Sequence, residues 1–207
     1  MPRRRSSLEV VGVAWLAGSV PFAQIAAKLT RSVDLREVGS GTVSGTSLYR
    51  VAGFGPLAVA GVLEVAKGAA GPALAGRDRP YLAALAGGAA VVGHNWSPFL
   101  AGAGGRGLSP AIGAVGVQDP TGAVVILAGL AAGRLVRQTG FVTLLATLGL
   151  VPVLTRRRGR QGTVAALAVL VPIVAKRVLG NAAPVRWSVA VVTHRLLFDR
   201  DPGSAGT

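Results

Sequence analysis

The sequence predicts an all-α, polytopic membrane protein of about seven transmembrane helices, with glycine-rich loops gathered at one face. Three observations lead there. Of 207 residues 51% are hydrophobic and only 14% charged, with a mean hydropathy of +0.54, whereas ordinary soluble domains carry about 25% charged residues. Apolar runs close to the roughly 18 residues needed to cross a bilayer recur along the chain, bounded by Arg and Lys. Between them lie stretches rich in Gly and Pro, and such irregular backbone is tolerated at membrane depth only where protein or water satisfies its polar groups.

The first run extends from Leu8 to Leu29, with Arg3, Arg4 and Arg5 before it and Lys28, Arg31 and Arg36 at its far end. A cleaved signal peptide is the competing reading, given the small residues at Ala17 and Gly18, but so much apolar sequence follows that a first crossing is expected. The second run, Ala52 to Ala75, is closed by Gly76-Arg77-Asp78-Arg79-Pro80, and the third covers Tyr81 to Leu100. Leu108 to Val117 is short and broken by Gln118-Asp119-Pro120; Thr121 to Leu135 follows. A crossing over Thr139 to Leu154, the basic linker Arg156 to Arg160 and a further crossing over Thr163 to Ala175 complete seven, with Pro184 to Phe198 as an eighth, weaker segment. The chain reads as one integral-membrane domain over residues 1–207, with disordered tails expected at 1–7 and 201–207.

Composition excludes several functions. A chain this apolar is not a disordered polymer, and the absence of Cys removes disulfides and thiolate chemistry. With two His in all, no metal site is expected. The net charge of +14 would suit nucleic acid, but the basic residues are scattered between apolar runs and few aromatics are present for stacking, so no nucleic-acid partner is expected. Anionic lipids and phosphorylated substrates fit better. Lys and Arg in the connections divide ten against nine between the two faces, which leaves orientation open.

Three constellations could carry chemistry. The nine residues Gly39 to Ser47 hold three Gly, three Ser and two Thr, followed by Arg50. Such a loop exposes backbone N–H groups and hydroxyls to an anion, and a guanidinium adds bidentate charge; a flexible connector is the alternative. Gly93 to Gly107 contains His94 and ends in Gly104-Gly105-Arg106-Gly107, a second anion cradle just before a helix, with close helix packing as its alternative. His94, beside an apolar run, reads as structural. Thr193-His194-Arg195 offers a histidine suited to proton transfer or, equally, an interfacial one. Glu64 and Lys67 share a helix face within the second run and read as a structural ion pair.

Taken in order, these pieces resemble the PlsY family of bacterial glycerol-3-phosphate acyltransferases. Gly39-Ser40-Gly41, Thr46 and Arg50 fall in register with its first motif, roughly G-S-G-N-x-G-A-T-N-x-x-R. Gly93-His94, Ser97 to Leu100 and Gly104 to Gly107 match its second, roughly G-H-x-x-S-P-F-L-x-x-x-G-G-K-G. The third, roughly H-R-x-N-I-x-R-L, is met only by His194-Arg195 and Arg200. Thr42 and Ser47 replace family Asn residues, Arg106 replaces Lys, and Leu197 stands in place of the third-motif Asn.

The resemblance implies transfer of a fatty acyl group from acyl-phosphate to the 1-hydroxyl of glycerol 3-phosphate, yielding lysophosphatidic acid for phospholipid synthesis. It implies no cofactor and no metal, because the donor is already activated. Ser40 and His194 would be catalytic, His194 as the base. Gly39, Gly41, Thr42, Thr46 and Arg50 would hold one phosphoryl group, and Gly104, Gly105, Arg106 and Gly107 the other. The implied setting is a monomer among the lipids of the bacterial inner membrane, its site facing the cytoplasm. A catalytically diverged paralogue that binds a phosphorylated lipid or partner is the alternative. A transporter is less supported, since no inverted repeat is visible. His194 and Asp199 also fit H-x-x-x-x-D, the signature of acyltransferases that use acyl-CoA, but too little chain follows for that domain.

Overall fold

The computed structural model describes residues 5–39, 41–184, 186–199 and 201, and within them the regular structure is entirely helical. Helices α1 (Ser7–Ser19) and α2 (Phe22–Arg31) form the first span, separated at Val20-Pro21 because proline has no N–H to continue the ladder. Ser6 starts α1 with a capping box: its hydroxyl accepts from Glu9 N at 3.2 Å, and its N–H donates to Glu9 Oε2 at 2.8 Å. Of the tails expected to be disordered, residues 1–4 and 202–207 lie outside the described residues, while Ser6 and Ser7 belong to the start of this helix. Next come α3 (Gly45–Ala52), α4 (Phe54–Ala75) and α5 (Pro80–Asn95), then α6 (Leu108–Gln118) and α7 (Pro120–Leu135). Asp119 joins the last two, its carboxylate accepting from Thr121 N at 2.9 Å with Pro120 opening the new helix.

The stretch α8 (Thr139–Leu179) departs from the expected crossing, linker and second crossing. It stays helical through the arginines, except that Gly159 takes φ 56° and ψ −139° and folds the chain back on itself. Leu154 and Gly162 therefore meet backbone to side, and Arg177 Nη1 reaches Gly140 O at 2.7 Å across the hairpin. Helix α9 (Val189–Phe198) corresponds to the doubtful eighth segment. Ten residues rise only about 15 Å, half a bilayer core, so α9 does not cross and its C-terminal end stays with the end of α8.

Among the described residues three stretches are long and apolar enough to span a membrane: Ser7–Arg31, Phe54–Ala75 and Thr139–Leu179, the last folded into two arms. The others are shorter. At about 16 Å, α6 is half the needed length. Small residues let the helices approach closely. A Cβ on Gly68 would lie 2.0 Å from Pro110 O and one on Gly113 2.0 Å from Val65 O, which fixes α4 against α6. The largest apolar cluster, including Val91, Ile112, Ile126, Leu150 and Val169, packs α5, α6, α7 and both arms of α8 together. A second, around Leu35, Val43, Leu48 and Leu100, seats the first glycine-rich loop on α2, α3 and α4.

Candidate functional site

Above the short α6 opens a cavity of about 920 Å³. The two glycine-rich loops meet beside it. Val43 N donates to Gly104 O at 3.3 Å. Asn181, just past the end of α8, ties the loops together: its Nδ2 donates to Gly41 O and to Gly104 O, both at 3.0 Å, and its Oδ1 accepts from Gly104 N at 3.1 Å. A half-buried asparagine tied to three backbone groups holds one geometry.

The first loop is positioned from below. Leu35 N donates to Gln24 Oε1, and Asp34 receives Arg36 Nε at 3.0 Å and Nη2 at 2.7 Å. The hydrogen-bonded Arg36 guanidinium holds the Asp34 carboxyl well below the ordinary carboxylate range. Ser44 then caps α3, accepting from Ser47 N at 3.2 Å, while the Ser47 hydroxyl donates to Thr42 O at 2.8 Å. Gly39, Thr42, Thr46 and Arg50 all line the cavity, and no acidic side chain among the described residues pairs with Arg50. Gly41 does not line it; its N–H is used on Val38 O. Ser40 lies outside the described residues.

The second loop works differently from the expected cradle. The N–H groups of Gly104 and Gly105 donate to Asn181 Oδ1 and His94 O, so neither is aimed at a ligand. What these positions require is the absence of a side chain: a Cβ on Gly104 would sit 2.2 Å from His94 O, and one on Gly105 2.2 Å from His94 Nε2. Arg106 and Gly107 do line the cavity, with Leu108 and Ser109 of the first turn of α6. The unpaired N–H groups of that turn, and those of α3, are the backbone donors available to an anion. Arg106 donates from Nη1 to Lys176 O at 3.1 Å, and its Nε lies 2.7 Å from Asp199 Oδ1.

Glu64 and Lys67 form the expected ion pair, Oε2 to Nζ 2.7 Å, and Lys67 Nζ also donates to Val20 O at 2.5 Å. The pair has a third member that sequence reasoning set aside. His94 Nδ1 stands 2.9 Å from Glu64 Oε2, and both residues line the cavity. His194 is not among the lining residues: it sits on α9 with its ring 4.9 Å from that of Phe198, and the chain reaches the cavity at Phe198 and Asp199 instead. Arg200 lies outside the described residues. Arg134 and Arg177 complete the basic wall, Arg177 being 1% exposed and donating from Nη2 to Thr143 Oγ1 at 2.7 Å. Neither belongs to a motif, and no signal in the sequence separates them from the other arginines. Among the described residues no three His, Asp or Glu side chains gather as a metal site would need.

A cavity that combines helix N-termini with four guanidiniums is built for phosphoryl groups, and its apolar lining, such as Leu57 and Leu130, suits a hydrocarbon chain. The sequence model of the family described as "Glycerol-3-phosphate acyltransferase" matches residues 8–195. The chain belongs to this family. The glycerol-3-phosphate acyltransferase of Synechococcus sp. (strain CC9902) is 31% identical over 200 residues, 95% of this chain and 94% of the relative. That of Shouchella clausii is 41% identical over 114 residues, 53% of this chain and 56% of the relative, and that of Halalkalibacterium halodurans 37% over 141 residues, 66% and 67%. The last two alignments thus span only about half to two thirds of the relative, whereas the Synechococcus one spans nearly all of it. The fold is similar to the crystal structure of PlsY (YgiH), an integral membrane glycerol 3-phosphate acyltransferase, in its glycerol 3-phosphate form. That match has a TM-score of 0.76 at 28% identity and covers 84% of this chain and 88% of the other. The all-helical membrane fold of the PlsY family is therefore the fold of this bacterial membrane protein.

Proposed function

We propose that this cavity transfers a fatty acyl group from acyl-phosphate to the 1-hydroxyl of glycerol 3-phosphate, giving lysophosphatidic acid and inorganic phosphate, in a monomer whose site faces the cytoplasm. That the chain belongs to the glycerol-3-phosphate acyltransferase family and shares the fold of an integral membrane member supports this reading; the activity, the donor, the sidedness, the monomer and the residue roles belong to the proposal. The observation that carries it is the meeting of both glycine-rich loops beside one cavity lined by Arg50 and Arg106.

In the reaction the acceptor oxygen attacks the acyl carbon, the carbon–oxygen bond to phosphate breaks, and phosphate leaves as an anion. Arg50 and the α3 N-terminus hold one phosphoryl group; Arg106 and the α6 N-terminus hold the other. Ser40 stays with the first group by its place in the motif. The hydroxyl proton goes to His94 rather than to His194. Glu64 opposite Nδ1 favours the proton on that nitrogen, which leaves the Nε2 lone pair toward Gly105, where no side chain covers it. The non-catalytic alternative is not favoured, because the family and the assembled site point the same way.

The test is the purified full chain in nanodiscs with acyl-phosphate and glycerol 3-phosphate. Lysophosphatidic acid and phosphate should appear in equal amounts, and Arg50→Ala should lower kcat/KM by at least about a hundredfold, the loss of a charged phosphate contact plus its positioning. Phosphate release no greater than in the variant would overturn the reading. His94→Gln should reduce kcat far more than His194→Gln; the reverse order would return the base to His194. A single Cys placed beside Arg50 in inverted and right-side-out vesicles reports the facing of the site.

A further inference from the structure

Among the described residues six charged side chains line the cavity apart from His94: Arg50, Arg106, Arg134 and Arg177 on one hand, Glu64 and Asp199 on the other. Glu64 is committed to Lys67 and His94. Asp199 is thus the one acid among the described lining residues that faces the phosphate-binding arginines, and it stands 2.7 Å from Arg106 Nε.

We propose that Asp199 is a built-in competitor for the phosphoryl site at Arg106: its carboxylate occupies the guanidinium in the empty enzyme, yields to the phosphoryl group of the substrate, and returns as phosphate departs. The proposal rests on the acyltransfer reading above and adds to it the residue that sets how tightly the site grips its anion. The contact is an ion pair in distance but not a hydrogen bond in angle, so a phosphoryl oxygen that aligns with Nε gains what the carboxylate lacks. The backbone beneath it need not move. Asp199 caps α9 in the left-handed conformation at φ 58°, its N–H donating to Arg195 O at 2.9 Å. The Arg195 guanidinium in turn holds the carbonyls of Val178, Leu179 and Ala182 and pairs with Asp201, locking the end of α9 to the end of α8. Only the Asp199 side chain has to rotate away. Arg106 stays aimed at the cavity meanwhile, because Nη1 is fixed on Lys176 O. An enzyme that releases phosphate in every turnover gains from such a partner, since a site of four guanidiniums without a competing acid would retain its product.

The test is Asp199→Asn in the full chain in nanodiscs. Asparagine keeps the size and tolerates the left-handed cap, so α9 is preserved while the charge is lost. Three readouts are taken with wild type beside it: KM for glycerol 3-phosphate, KM for acyl-phosphate, and inhibition by inorganic phosphate. The variant should show about a tenfold lower KM for the substrate whose phosphoryl group sits at Arg106, and inhibition by phosphate should tighten by a similar factor, the effect of one charged contact no longer displaced. Which of the two KM values falls identifies that substrate. A residue that merely holds Arg106 in place would do the opposite, so a higher KM in the variant overturns the proposal. So do unchanged KM and inhibition constants in an enzyme that turns over. Calorimetric titration with glycerol 3-phosphate separates the remaining outcome: if neither protein binds it and neither turns over, the acyltransfer reading fails and this proposal with it.

Discussion

The two glycine-rich loops look alike in sequence and are unlike in what their glycines do. In the first, Gly39 and Gly41 take φ of 57° and 65°, and around Gly39 a Cβ would meet nothing within 4 Å. Its glycines serve the backbone, which must turn before α3. In the second, Gly104 and Gly105 have ordinary φ, and their missing side chains make room for the carbonyls and imidazole of α5. These two serve packing, while Gly102 and Gly107 of the same loop take φ of 84° and 76° and turn the backbone. The arginines differ in the same sense, Arg50 lying exposed with no acidic partner among the described residues and Arg106 largely enclosed beside Asp199. One composition therefore answers two physical demands, a turn in one place and a close approach in the other.

Substitution at the glycines separates the two demands. The largest effect is expected from Gly105→Ala, whose Cβ would lie 2.2 Å from His94 Nε2 and 2.7 Å from Val43 O. It should destabilise the fold by about 2–3 kcal/mol and abolish turnover by covering His94; thermal unfolding and phosphate release measured on one preparation would show both. A variant with near-normal activity would mean that His94 Nε2 has no part in the chemistry. Asn181→Ala should be intermediate. It strips three hydrogen bonds from the junction of the loops, a loss of about 1–3 kcal/mol for the carbonyls and amide left behind, and should raise both KM values more than it lowers kcat. Gly39→Ala should be mildest, about 1 kcal/mol for a left-handed non-glycine residue in open space, with activity within a few-fold of wild type. If Gly39→Ala proved as harmful as Gly105→Ala, the distinction between the loops would disappear.

Much of this was legible beforehand, for identifiable reasons. Hydrophobic runs and their charged ends are local properties, so the sequence places the spans of α1–α2, α4 and α5 within a few residues. Motif spacing likewise brings out both loops, Arg50 and Arg106. What sequence reading misses depends on distance in three dimensions. The arginines at 156–158 look like a linker, yet helix persists through them and only Gly159 breaks it. His94 looks structural until Glu64, thirty positions earlier in the chain, proves to be 2.9 Å away. His194 matches a motif letter, but a ten-residue α9 presents Phe198 and Asp199 to the cavity instead. Asn181 belongs to no pattern at all, and only its three partners reveal its use.

The reversal at Gly159 makes the far leaflet a party to the chemistry. From that bend to Arg177 the second arm climbs about 27 Å, so Arg177 and Asn181 are delivered to the cavity by a ruler whose zero mark lies at the opposite membrane surface. Inserting a single residue into either arm would swing everything beyond it by about 100°, unhooking Asn181 from both loops without touching any group that meets substrate. The length of this hairpin, more than the identity of its residues, is what the site inherits from the other side of the bilayer.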